Sequence, residues 1–264
     1  MKPIVDRHLA LRVLGVGVVL LAAEAFTRSG LTQPQYVPYA STVLERIGQL
    51  LTSTEFLAQL WVTIKAWLAG LALATIVGTA LGFAIGLSVF ARRSSQSLFD
   101  LVRPIPSVAL IPLGVLVLGQ GLGLKITLAV YGAAWPMLYN VAAAMREMDK
   151  VQIETADIFR IGALRKFTRV FLPSTLPYIS TGIRVASPIA LIIVISVEML
   201  GGARAGLGVW LLEVNEGAGR ADLVFAGTAI AGLLGALSNW LLAVAERRVL
   251  RWHPAHRKAA AARA

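Results

Sequence analysis

The side chains that most often carry chemistry are nearly absent from the middle of this chain. It has no cysteine, which excludes disulfides, thiol nucleophiles and Cys-based metal sites together. Its histidines, His8, His253 and His256, all lie near the termini, where no central triad, zinc site or haem could use them. No G-x-S-x-G elbow and no G-x-x-x-x-G-K-[ST] loop occurs, so neither a hydrolase nucleophile nor a nucleotide cradle of those kinds is encoded. What remains are polar residues in apolar surroundings. Glu198, in VISVEMLGG, is a carboxylate in a predominantly apolar run. Inside a bilayer it must be paired, hydrated or protonated, which puts it against a bundle interior or a cavity. If the run ends at Leu200, Glu198 sits instead at the interface; Glu24 poses the same choice. Tyr131, Trp135 and Tyr139 recur every fourth position, with Pro136 and Asn140 beside them. On a helix they make one aromatic face with a polar end, suited to a solute-lined wall or to packing.

The elements that position these side chains follow from composition. The chain is 57% hydrophobic and 15% charged, with a mean hydropathy of +0.72, a balance that a soluble domain of 264 residues does not reach. Crossing about 30 Å of hydrocarbon takes roughly 20 helical residues. Six runs answer to that length: 9–26, 63–90, 106–121, 124–145, 179–200 and 223–245, the third being the shortest and containing Pro112. They are continuous rather than alternating, which points to helices and not to a barrel. With the N-terminus inside, 19 of the 25 Lys and Arg fall on inner segments, leaving Arg28, Arg46, Lys65, Lys125, Arg204 and Arg220 outside. This asymmetry predicts a cytoplasmic N-terminus (1–8), a membrane domain (9–252) and a cytoplasmic tail (253–264). It also accounts for the net charge of +11 without nucleic acid as a partner. The basic start, the run Val13–Ala23 and the triplet Ala23-Glu24-Ala25 also fit a cleavable signal, but an uncleaved first span is the reading adopted.

Residues 36–55 place Val43, Ile47, Leu50 and Leu51 at helical spacing, predicting an amphipathic helix on the outer surface. Small residues recur every fourth position at Gly70, Ala74, Gly78, Gly82 and Gly86, and again at Gly227, Ala231 and Gly235. The missing side chains let another helix approach closely, in this chain or in a second copy. The longest inner connection, 146–178, is also the most charged. Asp149 can cap a helix beginning at Lys150 with Gln152 as its reciprocal partner, and Val151, Thr155 and Ile158 share a face. Gly162 offers a stop before a second basic segment with Arg165, Lys166 and Arg169, and Pro173 and Pro177 end the loop. Two short helices at the inner membrane surface suit docking on a cytoplasmic protein, or lying on anionic lipid.

Glu154-Thr155-Ala156 and Val170-Phe171-Leu172-Pro173 resemble the signature of permease subunits of binding-protein-dependent ATP-binding-cassette importers: EAA, a glycine, then hydrophobic-Leu-Pro. Arg160 stands at the usual glycine position and Gly162 follows two residues later, which shifts the expected turn. The stretches 103–123, Trp135-Pro136, 196–211 and 246–252 are similar to the nitrate, sulfonate and taurine branch, so the resemblance covers roughly residues 35–252. It implies an all-α integral membrane protein, a six-span type I ABC importer permease bundle with a cytoplasmic coupling helix. It further implies a homodimer, an ATP-binding-cassette ATPase dimer on the cytoplasmic side, an extracytoplasmic solute-binding protein and residence in a bacterial cytoplasmic (inner) membrane. No cofactor belongs to this chain on that reading, ATP and Mg being held by the partner ATPase. The coupling residues implied are Glu154, Thr155, Ala156, Arg160, Gly162, Leu172 and Pro173. The expected path for a small anionic solute (nitrate, taurine, an alkanesulfonate or a related organic compound) is lined by Tyr131, Trp135, Tyr139, Asn140 and Glu198. On the residues alone, a six-span secondary carrier coupled through buried charges and a membrane-anchored scaffold remain open.

Overall fold

The computed structural model describes residues 3–216 and 220–250, with backbone only at 3–10, 12, 13 and 96. The expected tail, 253–264, lies outside the described residues, as do the start of the N-terminal segment and part of the first span's side chains. Every described element is helical. The chain divides into two compact units, Met1–Trp61 with Ala205–Leu233 and Val62–Arg204 with Leu234–Ala264.

The first unit contains α1 (Pro3–Arg28), α2 (Ala40–Thr52), the opening turns of α3 (Thr54–Leu87), α10 (Leu207–Glu216) and the opening turns of α11 (Ala221–Val249). The helical spacing read at Val43, Ile47, Leu50 and Leu51 is realised in α2, whose Leu50 is buried while Leu44 and Leu51 stay exposed. Ser53, in extended geometry, separates α2 from α3. Glu24 is not free: it accepts from Arg28 Nε at 2.8 Å and from Ser41 N–H at 3.1 Å. Ser41 N–H is one of the first amides of α2, which have no intrahelical acceptor, so the carboxylate caps that helix. Phe56 is buried edge-on to Trp210, with ring centroids 4.8 Å apart, and Gly206 N–H donates to Gln59 Oε1 at 2.7 Å. Arg46 and Asp222 form an ion pair at 2.6 Å.

The second unit is built on α3, α6 (Leu122–Glu147) and α9 (Leu172–Leu200). Ala66 and Ala74, Ala129 and Ala133, and Ala186 and Ala190 are all fully buried where these helices meet. Small side chains here replace a hydrophobic driving force, which lipid does not supply, with close van der Waals contact. The fourfold stripe on α3 faces α6 at a constant offset of 59 positions: an added Cβ would strike Ala129 from Gly70, Met137 from Gly78, Val141 from Gly82 and Met145 from Gly86. A constant offset means that α3 and α6 run parallel and in register, so this stripe is a seam within one chain. In α11, Gly227 likewise gives room to Trp210 and Leu211. Helices α6 and α9 pack antiparallel, Gly132 against Ile193 and Gly182 against Met137.

Among the described residues, four helices are long and apolar enough to cross a membrane: Thr54–Leu87, Leu122–Glu147, Ala163–Leu200 and Ala221–Val249. A fifth crossing results if α4 (Val89–Val102) and the stretch Ser107–Leu118, which meet at a 77° bend, are taken together. The expected run 106–121 is therefore not one straight span. It is a 3-10 turn (Ser107–Leu110) followed by α5 (Ile111–Leu118), whose eight residues extend only about 12 Å. The preceding Pro104 and Pro106 cannot continue a helix from α4, which produces the bend. The second span also moves: it begins at Thr54 and stops at Leu87, because Ser88 Oγ accepts from Ala91 N–H and starts α4.

Candidate functional site

The connection 146–178 contains α7 (Lys150–Ile158) and α8 (Ala163–Lys166). Asp149 caps α7 as its sequence position predicts, its side chain accepting from Val151 N–H at 2.9 Å. The reciprocal half of the box is absent; Gln152 Oε1 instead accepts from the Ser174 hydroxyl at 3.4 Å. The turn does not shift to Gly162. Arg160 itself takes the left-handed conformation, at φ 51°, with its N–H on Asp157 O at 2.9 Å and Ile161 N–H on Ala156 O at 3.0 Å. These two bonds make a Schellman ending with arginine where glycine is usual. Gly162, at φ −59°, is the N-cap of α8 and not the stop for α7. The second basic segment is no separate helix, since α8 runs through a π-helical turn (Phe167–Phe171) into α9 as one 38-residue rod, Ala163–Leu200. Leu172 and Pro173 open α9 directly after the π-helical turn.

Ala156 is buried at 3% exposure, so it packs inside its own chain and offers no surface to a partner. Glu154 and Thr155 are exposed. Around them Val151, Ile158, Phe159 and Leu164 are 64–79% exposed, an apolar cluster on the outside of α7 and α8. Lys166 and Asp157 form an ion pair at 2.7 Å beside it.

The aromatic face forms as the spacing predicts, and its polar tips are largely committed. Trp135 lies edge-on to Tyr131 and stacks on Tyr139, with centroids 6.3 and 6.5 Å away. The Tyr131 hydroxyl donates at 2.9 Å to Val102 O, at the end of α4, which also accepts from Ile105 N–H at 3.2 Å. Asn140 Nδ2 donates to Pro136 O at 2.8 Å within its own helix. Phe99 packs edge-on to Trp135, and the Arg103 guanidinium sits 4.8 Å from the Tyr139 ring centroid. The buried Trp135 Nε1 has no hydrogen-bond acceptor among the described residues.

Glu198 is 1% exposed, in the last turn of α9. Its Oε1 lies 2.8 Å from Lys125 Nζ and its Oε2 accepts from Thr63 Oγ1 at 2.8 Å. Lys125, assigned to the outer side within the run 124–145, is buried in the first turn of α6. The charge that would be prohibitive in lipid is matched by a cation and a hydroxyl from two other helices.

Parallel and antiparallel apolar helices packed around a small-residue core, several of them long enough to cross a bilayer, define a helical membrane bundle. The family described as binding-protein-dependent transport system inner membrane component matches residues 61–251, and the chain belongs to it. The chain is thus the permease component of an ABC importer, a multi-pass inner-membrane subunit without an ATPase domain, and not a secondary carrier or scaffold. It is 27% identical to the taurine transport system permease protein of Escherichia coli over 94% of this chain and 91% of that one. It is also 27% identical to a putative aliphatic sulfonates transport permease protein of Bacillus subtilis, over 89% and 84%. Identity to a nitrate import permease protein of Leptolyngbya laminosa is 28%, over 69% of this chain and only 64% of that one. Among solved structures, a bacterial alginate importer superposes with a TM-score of 0.65 over 92% of this chain and 96% of that one at 15% identity. The MetNI methionine transporter, in an inward-facing conformation, gives 0.54 over 72% and 95% at 21%. At such identities these likenesses establish the fold.

Proposed function

We propose that this chain forms the translocation path of an ATP-driven importer for a small oxyanion-bearing solute, with 150–172 as the element that docks on the ATPase. The observation that carries the coupling assignment is the apolar cluster Val151, Ile158, Phe159 and Leu164, exposed beside the acidic Glu154. An apolar centre with a charged rim suits a protein interface. Against an anionic lipid surface Glu154 would be repelled, which disfavours the lipid-lying alternative. Arg160 and Gly162 set the turn, Leu172 and Pro173 join it to α9, and Ala156 packs it from within. ATP-driven closure of the ATPase dimer would move α7 and, through the continuous rod to α9, exchange an outward for an inward opening.

The rest of the assignment is six spans in a 9–252 membrane domain with both termini cytoplasmic, two copies per transporter, a cytoplasmic ATPase dimer and an extracytoplasmic binding protein. Tyr131, Trp135 and Tyr139, with Asn140, line the path, and the unmatched Trp135 N–H supports this by offering a donor beside the aromatic wall. Glu198 shapes the path from behind, through its ties to Lys125 and Thr63. Relatives named for nitrate, taurine, aliphatic sulfonates and bicarbonate support an oxyanion as cargo.

The test is co-purification of the ATPase with Phe159→Ala and Glu154→Lys variants, together with binding-protein-stimulated ATP hydrolysis in reconstituted membranes. Both side chains are exposed, so folding should be retained, while loss of an interface anchor costs about 2 kcal/mol of association. Normal ATPase association and turnover in both variants would reject the coupling assignment.

A further inference from the structure

A cavity of about 120 Å3 lies against the C-terminal end of α3, α4 and the C-terminal half of α6. Its walls include Phe99 and Tyr139, and its polar lining includes Arg92, Ser95, Asp100 and Arg146. Among the described residues, neither Arg92 nor Arg146 has a carboxylate within ion-pairing distance, and Asp100 pairs with neither. Ser95 already donates to Ala91 O at 2.6 Å. Arg93 is exposed and absent from the lining, as a basic residue that only marks membrane orientation would be, whereas Arg146 is exposed but lines the pocket at its rim. Arg92 is half-buried against an aromatic wall, where an uncompensated charge is costly. Arg103, stacked on the Tyr139 ring, brings a further cation to the same wall.

We propose that this pocket is a binding site for a single oxyanion head group, sulfonate or phosphate in type, held by the Arg92 and Arg146 guanidiniums. The planar fork of arginine matches such groups in two parallel hydrogen bonds. The volume is well below the roughly 300 Å3 at which pockets for larger ligands begin, so the head group enters and any tail remains outside. Two sources share this chemistry: a free anion of the transported kind, and the head group of an anionic lipid held by a basic pocket between helices. The site is separate from the docking surface and from the Lys125–Glu198 pair, and its occupancy is measurable without transport.

The experiment titrates sodium sulfate, by calorimetry at constant ionic strength, into the full-length chain purified in detergent. Wild type and Arg93→Gln are expected to bind equally, and Arg92→Gln and Arg146→Gln to bind about tenfold more weakly or less, the loss of one charge-assisted bond. In parallel, each protein is held in bilayer discs of phosphatidylcholine containing phosphatidylglycerol, and the lipid retained on detergent extraction is measured by mass spectrometry. Sulfate binding that depends on the two arginines assigns the pocket to a free anion. Phosphatidylglycerol retention that depends on them, without sulfate binding, assigns it to a lipid head group. If Arg92→Gln does not fold, Arg92→Lys carries the same comparison, keeping the charge and losing the fork. The proposal is overturned if neither anion depends on Arg92 and Arg146, or if Arg93→Gln weakens binding as much.

Discussion

A charged side chain in an apolar bundle is tolerated only with its counter-charge, and Glu198 shows how that is arranged. Lys125 and Thr63 approach it from α6 and α3, each at 2.8 Å. Removing the cation alone leaves a carboxylate at 1% exposure without its counter-ion. Lys125→Met is expected to lower stability by about 3–5 kcal/mol, whereas Lys125→Met combined with Glu198→Met should cost much less than the two single changes together. Thermal unfolding of the purified variants reads both, and a Lys125→Met protein as stable as wild type would contradict the pair's structural weight. At the same scale, Arg160 holds the left-handed turn that glycine would adopt without steric cost. The residue-level departure from the family pattern thus leaves the backbone path of the turn where the pattern has it.

The seam between α3 and α6 belongs to the scale of elements. The fourfold stripe was legible as a close-approach surface, but a stripe by itself does not name its partner. The constant offset of 59 positions identifies it as α6 of the same chain. At Gly82 an added Cβ would lie 2.6 Å from Val141 Cβ and 2.9 Å from Leu138 O, so relief requires the backbones to part. Gly82→Leu is expected to destabilise by at least 1–3 kcal/mol, roughly the cost of overpacking, and to reduce the yield of monodisperse protein. Gly232→Ala, in α11 with open space at its Cβ position, should be neutral or stabilise by up to about 1 kcal/mol. Similar melting of both variants would remove the seam from the account of stability.

For the whole molecule, orientation is the property most directly tested. The proposed topology puts the end of α2 outside and α4 inside, and Thr52 and Ser94 are exposed positions on them. Because the chain has no cysteine, Thr52→Cys and Ser94→Cys each introduce a single label site. An impermeant thiol reagent should modify the first from outside intact cells and the second only from the cytoplasmic face; the reverse result would refute the proposed orientation. Four of the six long apolar runs, Asp149 as a cap, the four-residue spacing of aromatic and small residues and the loop signature were readable in the sequence, because each is a local or periodic property of the chain. The Lys125–Glu198 pair, the bend before α5, the fusion of α8 to α9, the burial of Ala156 and the placement of Arg92 and Arg146 in the lining of one pocket were not. Those depend on which helices meet and in what register, which is decided by packing between residues many turns apart and not by the pattern of any one segment.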